Sequence, residues 1–382
     1  MDFESLFDIP IDDLHTPCYL TDARLLQKNT ALLKQIQQRT GCKILLAQKA
    51  FSMFSAYPLI RDDLAGTTAS GLFEAKLGRE HFGKEVHVFS PAYTQEDFTQ
   101  LLKLCDHIVF NSFGQWKKYR QQVQDATRNI SCGIRINPGY AEVETDLYNP
   151  CISGSRMGVP LEQMEDDFAG LDGIHFHTMC EQNSDVLERT LDHMLPQFDK
   201  WLKRCKWVNF GGGHHITRPD YDVERLVRCI ERVRDTYGVQ VYLEPGEAVA
   251  LNAGYLVATV LDVVHNGMNI AILDASAACH MPDVLEMPYR PHILYSGTAG
   301  EKAYTYRLAG NTCLAGDVIG DYSFDHQLQA GEKLVFCDMA IYSMVKNNTF
   351  NGVPLPDIAL YQNGHIDLVK RFGYADFEGR LS

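Results

Sequence analysis

From Thr21 to about Gly254 the chain repeats one rhythm, a short apolar run followed by a longer stretch of helical periodicity. The runs lie at 43–47, 64–69, 85–89, 107–110, 131–136, 173–176, 207–210 and 239–243. Runs this short and this apolar suit strands covered on both faces. Eight strand-then-helix units predict a (β/α)8 barrel, with a doubly wound open sheet as the competing architecture. Between the runs, residues 22–36 place leucines at helical spacing after Asp22, a residue suited to an N-cap. Residues 184–204 read as a helix in which Pro196 marks a kink or a break. Residues 220–237 read as another, with Val and Leu on one face and Arg and Glu on the other.

Beyond Gly254 the rhythm changes. Residues 255–264, 269–273, 302–308, 333–337 and 358–361 read as strands joined by turns. Asn266-Gly267 and Asn363-Gly364 are turn dipeptides, and the second sits between two apolar runs as in a hairpin. We therefore expect an α/β barrel over 22–254 and an all-β domain over 255–382. Residues 1–21 are expected to join the β domain, with Pro17-Cys18-Tyr19-Leu20 as an added strand.

Composition narrows the function. A formal net charge of −14 disfavours nucleic acid and anionic membranes as partners. It suits a cationic substrate, and solubility alone explains it equally well. No stretch reaches the length of a membrane-spanning helix, and the acidic start lacks the basic region of a secretion signal. The 11 cysteines are scattered without a Cys-x-x-Cys pair, so neither a zinc ribbon nor a disulfide framework is indicated. A reducing cytoplasm is the expected home.

In a parallel barrel, chemistry collects where the strands end. Lys49 follows the first predicted strand. It is either a lysine reaching to the surface or an amine that binds an aldehyde cofactor covalently. Asn137 follows the fifth. His175 and His177 end the sixth on one face of the strand, as core histidines or as a group that stacks on a planar ligand. No third ligand completes a metal site with them, and no metal is expected. Gly211-Gly212-Gly213 follows the seventh, as a tight turn or as backbone that can approach a phosphate. Glu244 follows the eighth, as a surface ion pair or as the partner of a protonated ring nitrogen. An amine, a stacking ring, a phosphate cradle and a carboxylate are together what pyridoxal 5′-phosphate (PLP) requires.

Six segments carry a family likeness: Gln48-Lys-Ala-Phe51, Gly173-Ile-His-Phe-His-Thr-Met-Cys-Glu-Gln182, Asn209-Phe-Gly-Gly-Gly-His-His215, Glu244-Pro-Gly-Glu-Ala248, Asp274-Ala-Ser-Ala-Ala-Cys-His-Met-Pro-Asp283 and Gly310-Asn-Thr-Cys-Leu-Ala-Gly-Asp317. In this order they resemble the alanine-racemase-fold (fold type III) PLP-dependent decarboxylases, which include the ornithine and diaminopimelate enzymes. The likeness is greatest to the carboxynorspermidine (carboxyspermidine) branch. It implies a PLP-binding barrel with a C-terminal β-sandwich or β-barrel domain, and decarboxylation of a polyamine carboxylate. By that resemblance Lys49 would hold PLP, His177 would stack on its ring and Glu244 would pair with its ring nitrogen. Gly211, Gly212 and Gly213 would bind the phosphate with Tyr342 helping, Gly246 would be among the cofactor-binding residues, and Arg135 matches an active-site arginine. Cys313 and Asp317 resemble a cysteine and an acid that reach across a dimer interface, so a homodimer with shared active sites is implied. Cys313 would handle the carboxylate or return a proton to Cα.

The chain departs from many relatives at Glu247, where they have arginine, and at Met179-Cys180, where they have Gly-Ser. An acid at Glu247, together with Asp283, suits ammonium groups of a polyamine tail and disfavours diaminopimelate. The competing readings are a diaminopimelate decarboxylase or racemase of the same fold, and a regulatory homologue without catalysis.

Overall fold

The computed structural model describes Glu4 and residues 7–382; the remainder of the acidic start lies outside them. The chain divides into two units, one spanning Gln27–Val249 and the other joining the residues up to Leu26 with Ala250–Ser382. Strand β1 (Cys18–Asp22) belongs to the second unit.

The first unit contains β2 (Lys43–Ala47), β3 (Gly66–Ala69), β4 (Glu85–Phe89), β5 (His107–Phe110), β6 (Ser131–Asn137), β7 (Val159–Pro160), β8 (Gly173–His175), β9 (Trp207–Asn209) and β10 (Gln240–Leu243). All pair in parallel, in the order β2-β3-β4-β5-β6-β8-β9-β10 and back to β2. The β5–β6 pairing closes the ring, which excludes the open sheet. Only the two-residue β7 stands outside it, paired with β6. All eight predicted strands are present, with ends displaced by at most two residues. The helix Ser184–Leu202 continues through Pro196, so the proline does not break it. The helix Val223–Tyr237 starts after Asp222, whose carboxylate accepts from the Arg225 amide at 2.9 Å.

The barrel interior is filled by Leu45, Val109, Trp207 and Tyr242. The Trp207 indole lies where a side chain on Gly133 or Gly173 would have to go, so those two glycines make room for it. Its Nε1–H donates to Ser131 Oγ at 2.8 Å. At the floor, where the strands begin, the rings of His87 and His107 stack at 3.9 Å and 7°. Beside them Lys43 pairs with Glu85, and the Tyr242 hydroxyl lies 3.2 Å from Glu85 Oε2. The floor thus supplies its own cation.

The second unit is built on β11 (Gly254–His265), β12 (Asn269–Leu273), β13 (Gly297–Thr298), β14 (Tyr304–Ala309), β15 (Val318–Phe324), β16 (Lys333–Cys337), β17 (Asp357–Gln362) and β18 (His365–Lys370). The order is β13-β15-β14-β12-β11-β1-β17-β18, with β16 also on β11. Strand β1 runs antiparallel to β11 and parallel to β17. Its Tyr19 enters one apolar cluster with Leu256 and Phe336, while Cys18 and Leu20 enter another with Tyr255 and Val257. That alternation buries both faces of the sheet. The Asn363-Gly364 hairpin joins β17 to β18, with φ of 52° and 80° at its two turn residues. Strand β15 has no counterpart among the predicted runs. Among the described residues no helix is long and apolar enough to cross a membrane.

Candidate active site

Lys49 lies two residues past β2, in a turn where the Ala50 amide donates to the Ala47 carbonyl at 3.1 Å. Gly246 packs behind this turn. A Cβ there would stand 2.6 Å from Ala50 Cβ and 3.0 Å from the Ala47 oxygen. Glycine is therefore what lets the loop after β10 approach the lysine. The Lys49 side chain opens into a cavity of about 510 Å3, also lined by Thr68, Ser70, Phe89, Arg135, His175, His177, Glu244 and the segment 146–157. Solvent reaches the amine through the mouth, but the walls strip much of its hydration. Burial first, and the Arg135 charge second, push its pKa down. Among the described residues Nζ makes no ion pair or hydrogen bond.

Glu244 is held by its neighbours in the strand order. His175 Nε2, from β8, lies 3.1 Å from Glu244 Oε2, and Asn209 Nδ2, from β9, donates to Oε1 at 2.8 Å. Asn209 Oδ1 in turn accepts from the Gly211 amide at 2.8 Å. Burial alone would raise the carboxyl pKa, but His175 first and then Asn209 outweigh it and hold it at about 2. Burial keeps His175 itself neutral against the pull of Glu244. Its Nε2–H is then the donor, and its buried Nδ1 has no partner.

His177 Nδ1 accepts from the Gly212 amide at 3.0 Å. That bond places the ring proton on Nε2. Burial, then the charges of Lys49 and Arg135, keep the ring neutral. Arg135 is buried without a carboxylate partner among the described residues. It donates to the His177 carbonyl at 3.2 Å and lies 4.6 Å over the Phe89 ring. Burial lowers its pKa to about 10, against the pull of Glu244.

The triple glycine is first a requirement of packing. A Cβ on Gly212 would stand 2.7 Å from the Glu244 backbone carbonyl oxygen, and one on Gly211 2.7 Å from His177 Cβ. Gly211 and Gly213 adopt φ of 69° and 82°. Since the Gly211 and Gly212 amides are committed within the protein, only that of Gly213 is left for a phosphate.

Of the three carboxylates expected to bind substrate, Asp283 and Asp317 are engaged within the β unit, and Glu247 faces His215. Glu247 lies 3.2 Å from His215 Nε2. Asp283 pairs with Lys346, so its charge is already met. Asp317 is buried and accepts from Thr312 Oγ1 at 2.6 Å, Ser276 Oγ at 2.8 Å and the Ala278 amide at 3.2 Å, which makes it an anchor of the loop 310–317. Cys313 is exposed on that loop, its amide donating to Asn351 Oδ1 at 2.7 Å. Tyr342 adopts φ of 54°, and its ring lies 5.8 Å from Lys346 Nζ. Asp283, Asp317, Cys313 and Tyr342 all belong to the β unit, whereas Lys49, Arg135, His177, Glu244 and the glycines belong to the barrel.

Sequence reasoning identified His175 as a strand-end histidine but not as the partner of Glu244, and it passed over Asn209, Phe89 and the segment 146–157. For His175 and Asn209 the signal lay in the predicted strand order, because adjacent parallel strands bring their last residues side by side.

The pyridoxal-dependent decarboxylase, C-terminal sheet domain family matches this chain over residues 18–340. The chain is 42% identical to a carboxynorspermidine/carboxyspermidine decarboxylase of Campylobacter jejuni, covering 97% of this chain and 99% of that protein. It is 41% identical to a carboxyaminopropylagmatine decarboxylase of Synechocystis, covering 97% and 96%. The crystal structure of carboxynorspermidine decarboxylase from Campylobacter jejuni, complexed with norspermidine, superposes with a TM-score of 0.89 at 41% identity, covering 96% of this chain and 100% of that one. Diaminopimelate decarboxylase from Helicobacter pylori shares the fold with a TM-score of 0.82 at 18% identity, covering 97% of each chain. With this match spanning both units, and with a lysine and an ionised carboxylate at the mouth of a closed barrel, the chain belongs to the pyridoxal-dependent decarboxylases.

Proposed function

We propose that the protein holds PLP at Lys49 and removes the carboxylate of carboxynorspermidine or carboxyspermidine. The observation that carries this reading is the meeting, in one cavity, of an amine with no ion pair among the described residues, a carboxylate kept ionised and a buried arginine likewise without an ion pair among them. Those groups fit the aldehyde, the ring nitrogen and the anionic oxygens of PLP. When bound, PLP supplies an electron-accepting ring that draws off the electron pair of the breaking Cα–carboxylate bond.

The protein's own part is placement and charge. A depressed ammonium pKa leaves more of Lys49 as the free amine needed to join an aldehyde. Glu244, fixed by His175 and Asn209, keeps a proton on the ring nitrogen. His177, fixed through Gly212, offers a neutral ring face. Gly213 contributes to the phosphate contacts. We assign the carboxylate or Cα proton to Cys313 of a second copy in a homodimer. Its exposure supports that assignment, since a buried thiol would be out of reach. Eleven free cysteines support a cytoplasmic location.

For the cationic tail, the pairing of Asp283 with Lys346 and the absence of Glu247 from the cavity lining favour Asp146, an exposed carboxylate on the cavity wall. Near-equal identity to the carboxyaminopropylagmatine enzyme supports a second substrate, with a guanidinium-ended tail. Decarboxylation kinetics on all three compounds with added PLP test the proposal. We expect kcat/KM to be highest on one of the two carboxylated triamines. Turnover confined to carboxyaminopropylagmatine would select the second reading, and turnover of none would overturn both.

A further inference from the structure

Three loops at the C-terminal end of the barrel bring together Glu181, after β8, His215, after β9, and Glu247, after β10. One ligand atom from each lies within 4.8 Å of the others. His215 is 94% buried, yet among the described residues neither of its ring nitrogens has a hydrogen-bond partner. Nε2 lies 3.2 Å from Glu247 Oε1, without hydrogen-bond geometry. A buried imidazole normally satisfies at least one nitrogen. Glu181 also holds a left-handed backbone, φ 52°, that a non-glycine residue adopts at a cost.

We propose that Glu181, His215 and Glu247 form a binding site for a divalent first-row cation of the Zn2+ or Mn2+ class. One imidazole and two carboxylates are ligands such ions accept. Ligand atoms about 2.1 Å from a tetrahedral ion stand about 3.4 Å apart. The His215–Glu247 pair already has that spacing. Glu181, at the exposed edge, offers the third ligand atom within 4.8 Å of the other two. The neighbouring Arg218 is occupied by other acceptors, its Nε on Asp220 at 2.6 Å and its Nη1 on the Glu181 carbonyl at 3.4 Å. The cluster of Glu85, His87 and His107 at the floor offers similar ligands but is satisfied differently, because Lys43 already sits on Glu85.

Untagged, full-length protein, dialysed against a chelator, tests this. Mn2+ is titrated by the loss of its free-ion electron paramagnetic resonance signal, and Zn2+ by calorimetry. We expect one ion per chain, affinity weakened about tenfold or more in His215→Gln and Glu247→Gln, and no change in His107→Gln. Should the buried replacements fail to fold, Glu181→Gln, at an exposed position, carries the same expectation. A metal-induced rise in Tm in the parent but not in that variant supports the site. No saturable binding up to about 1 mM, or binding indifferent to Glu181→Gln, overturns the proposal.

Discussion

His175 Nε2 stands 3.1 Å from Glu244 Oε2, joining the end of β8 to the residue after β10, while Asn209 of the intervening β9 holds the other carboxylate oxygen. Three neighbouring strands thus fix one buried anion. If its charge is what the reaction uses, Glu244→Gln, which keeps the shape and removes the charge, will lower kcat by about 100- to 1,000-fold. Asn209→Leu, which leaves the charge, will have a smaller effect. Steady-state kinetics on the preferred substrate measure both, and equal losses would argue that the pair is only packing.

Trp207 fills the barrel because Gly133 and Gly173 leave space for its indole. Gly173→Ala forces a methyl group into that ring and will destabilise the fold by about 1–3 kcal/mol. Gly71→Ala, with no atom within 4 Å of the added carbon, will stay within about 0.5 kcal/mol. Urea unfolding distinguishes them; similar midpoints would mean that the indole moves aside freely.

Burial lowers the pKa of His107 to about 3, and of His214 and His280 to about 4. The unfolded chain takes up these protons below its own histidine pKa of about 6.5, and the folded chain does not. Stability therefore falls as pH drops from 6.5 toward 4, by up to about 2 kcal/mol per ring between pH 6.5 and 5. Glu85, depressed to about 2 by His87 and Lys43 against the effect of burial, adds a further loss below about pH 4.5. Thermal melts at pH 7 and pH 5 test the sign, and His107→Gln will flatten the dependence. A Tm that rises on acidification contradicts this ledger.

The barrel was legible because its buried strands are short apolar runs, and that Lys49, His177 and Glu244 stand at strand ends, where they line one cavity, was legible because they follow such runs directly. Strand β15 was not, since Gly320, Asp321 and Ser323 interrupt its apolar pattern. Its pairing with β14 makes it a strand all the same. The His175–Glu244 bond joins residues 69 apart and follows from strand order, which periodicity does not state. Two of the three glycine amides were expected at a phosphate but serve Asn209 and His177. A glycine run looks the same whether its amides face a ligand or the protein. The segment 146–157 has no periodicity at all, and it forms a whole wall of the cavity.

Asp317 and Cys313 share a loop but have different surroundings. Asp317→Ala leaves Ser276, Thr312 and the Ala278 amide without an acceptor and will cost about 1–3 kcal/mol of stability. Cys313→Ser, at an exposed position, will leave the melting curve unchanged and lower kcat. A raised KM with an unchanged Tm in Asp317→Ala would instead place that acid against the substrate.

The most direct measurement is reductive trapping. Protein reconstituted with PLP and treated with borohydride is digested, and the peptide carrying the cofactor is located by mass spectrometry. The added mass should fall on Lys49 alone, with Lys49→Ala showing neither the mass nor turnover. Label on another lysine, or near-normal turnover in Lys49→Ala, would contradict the assignment of this site.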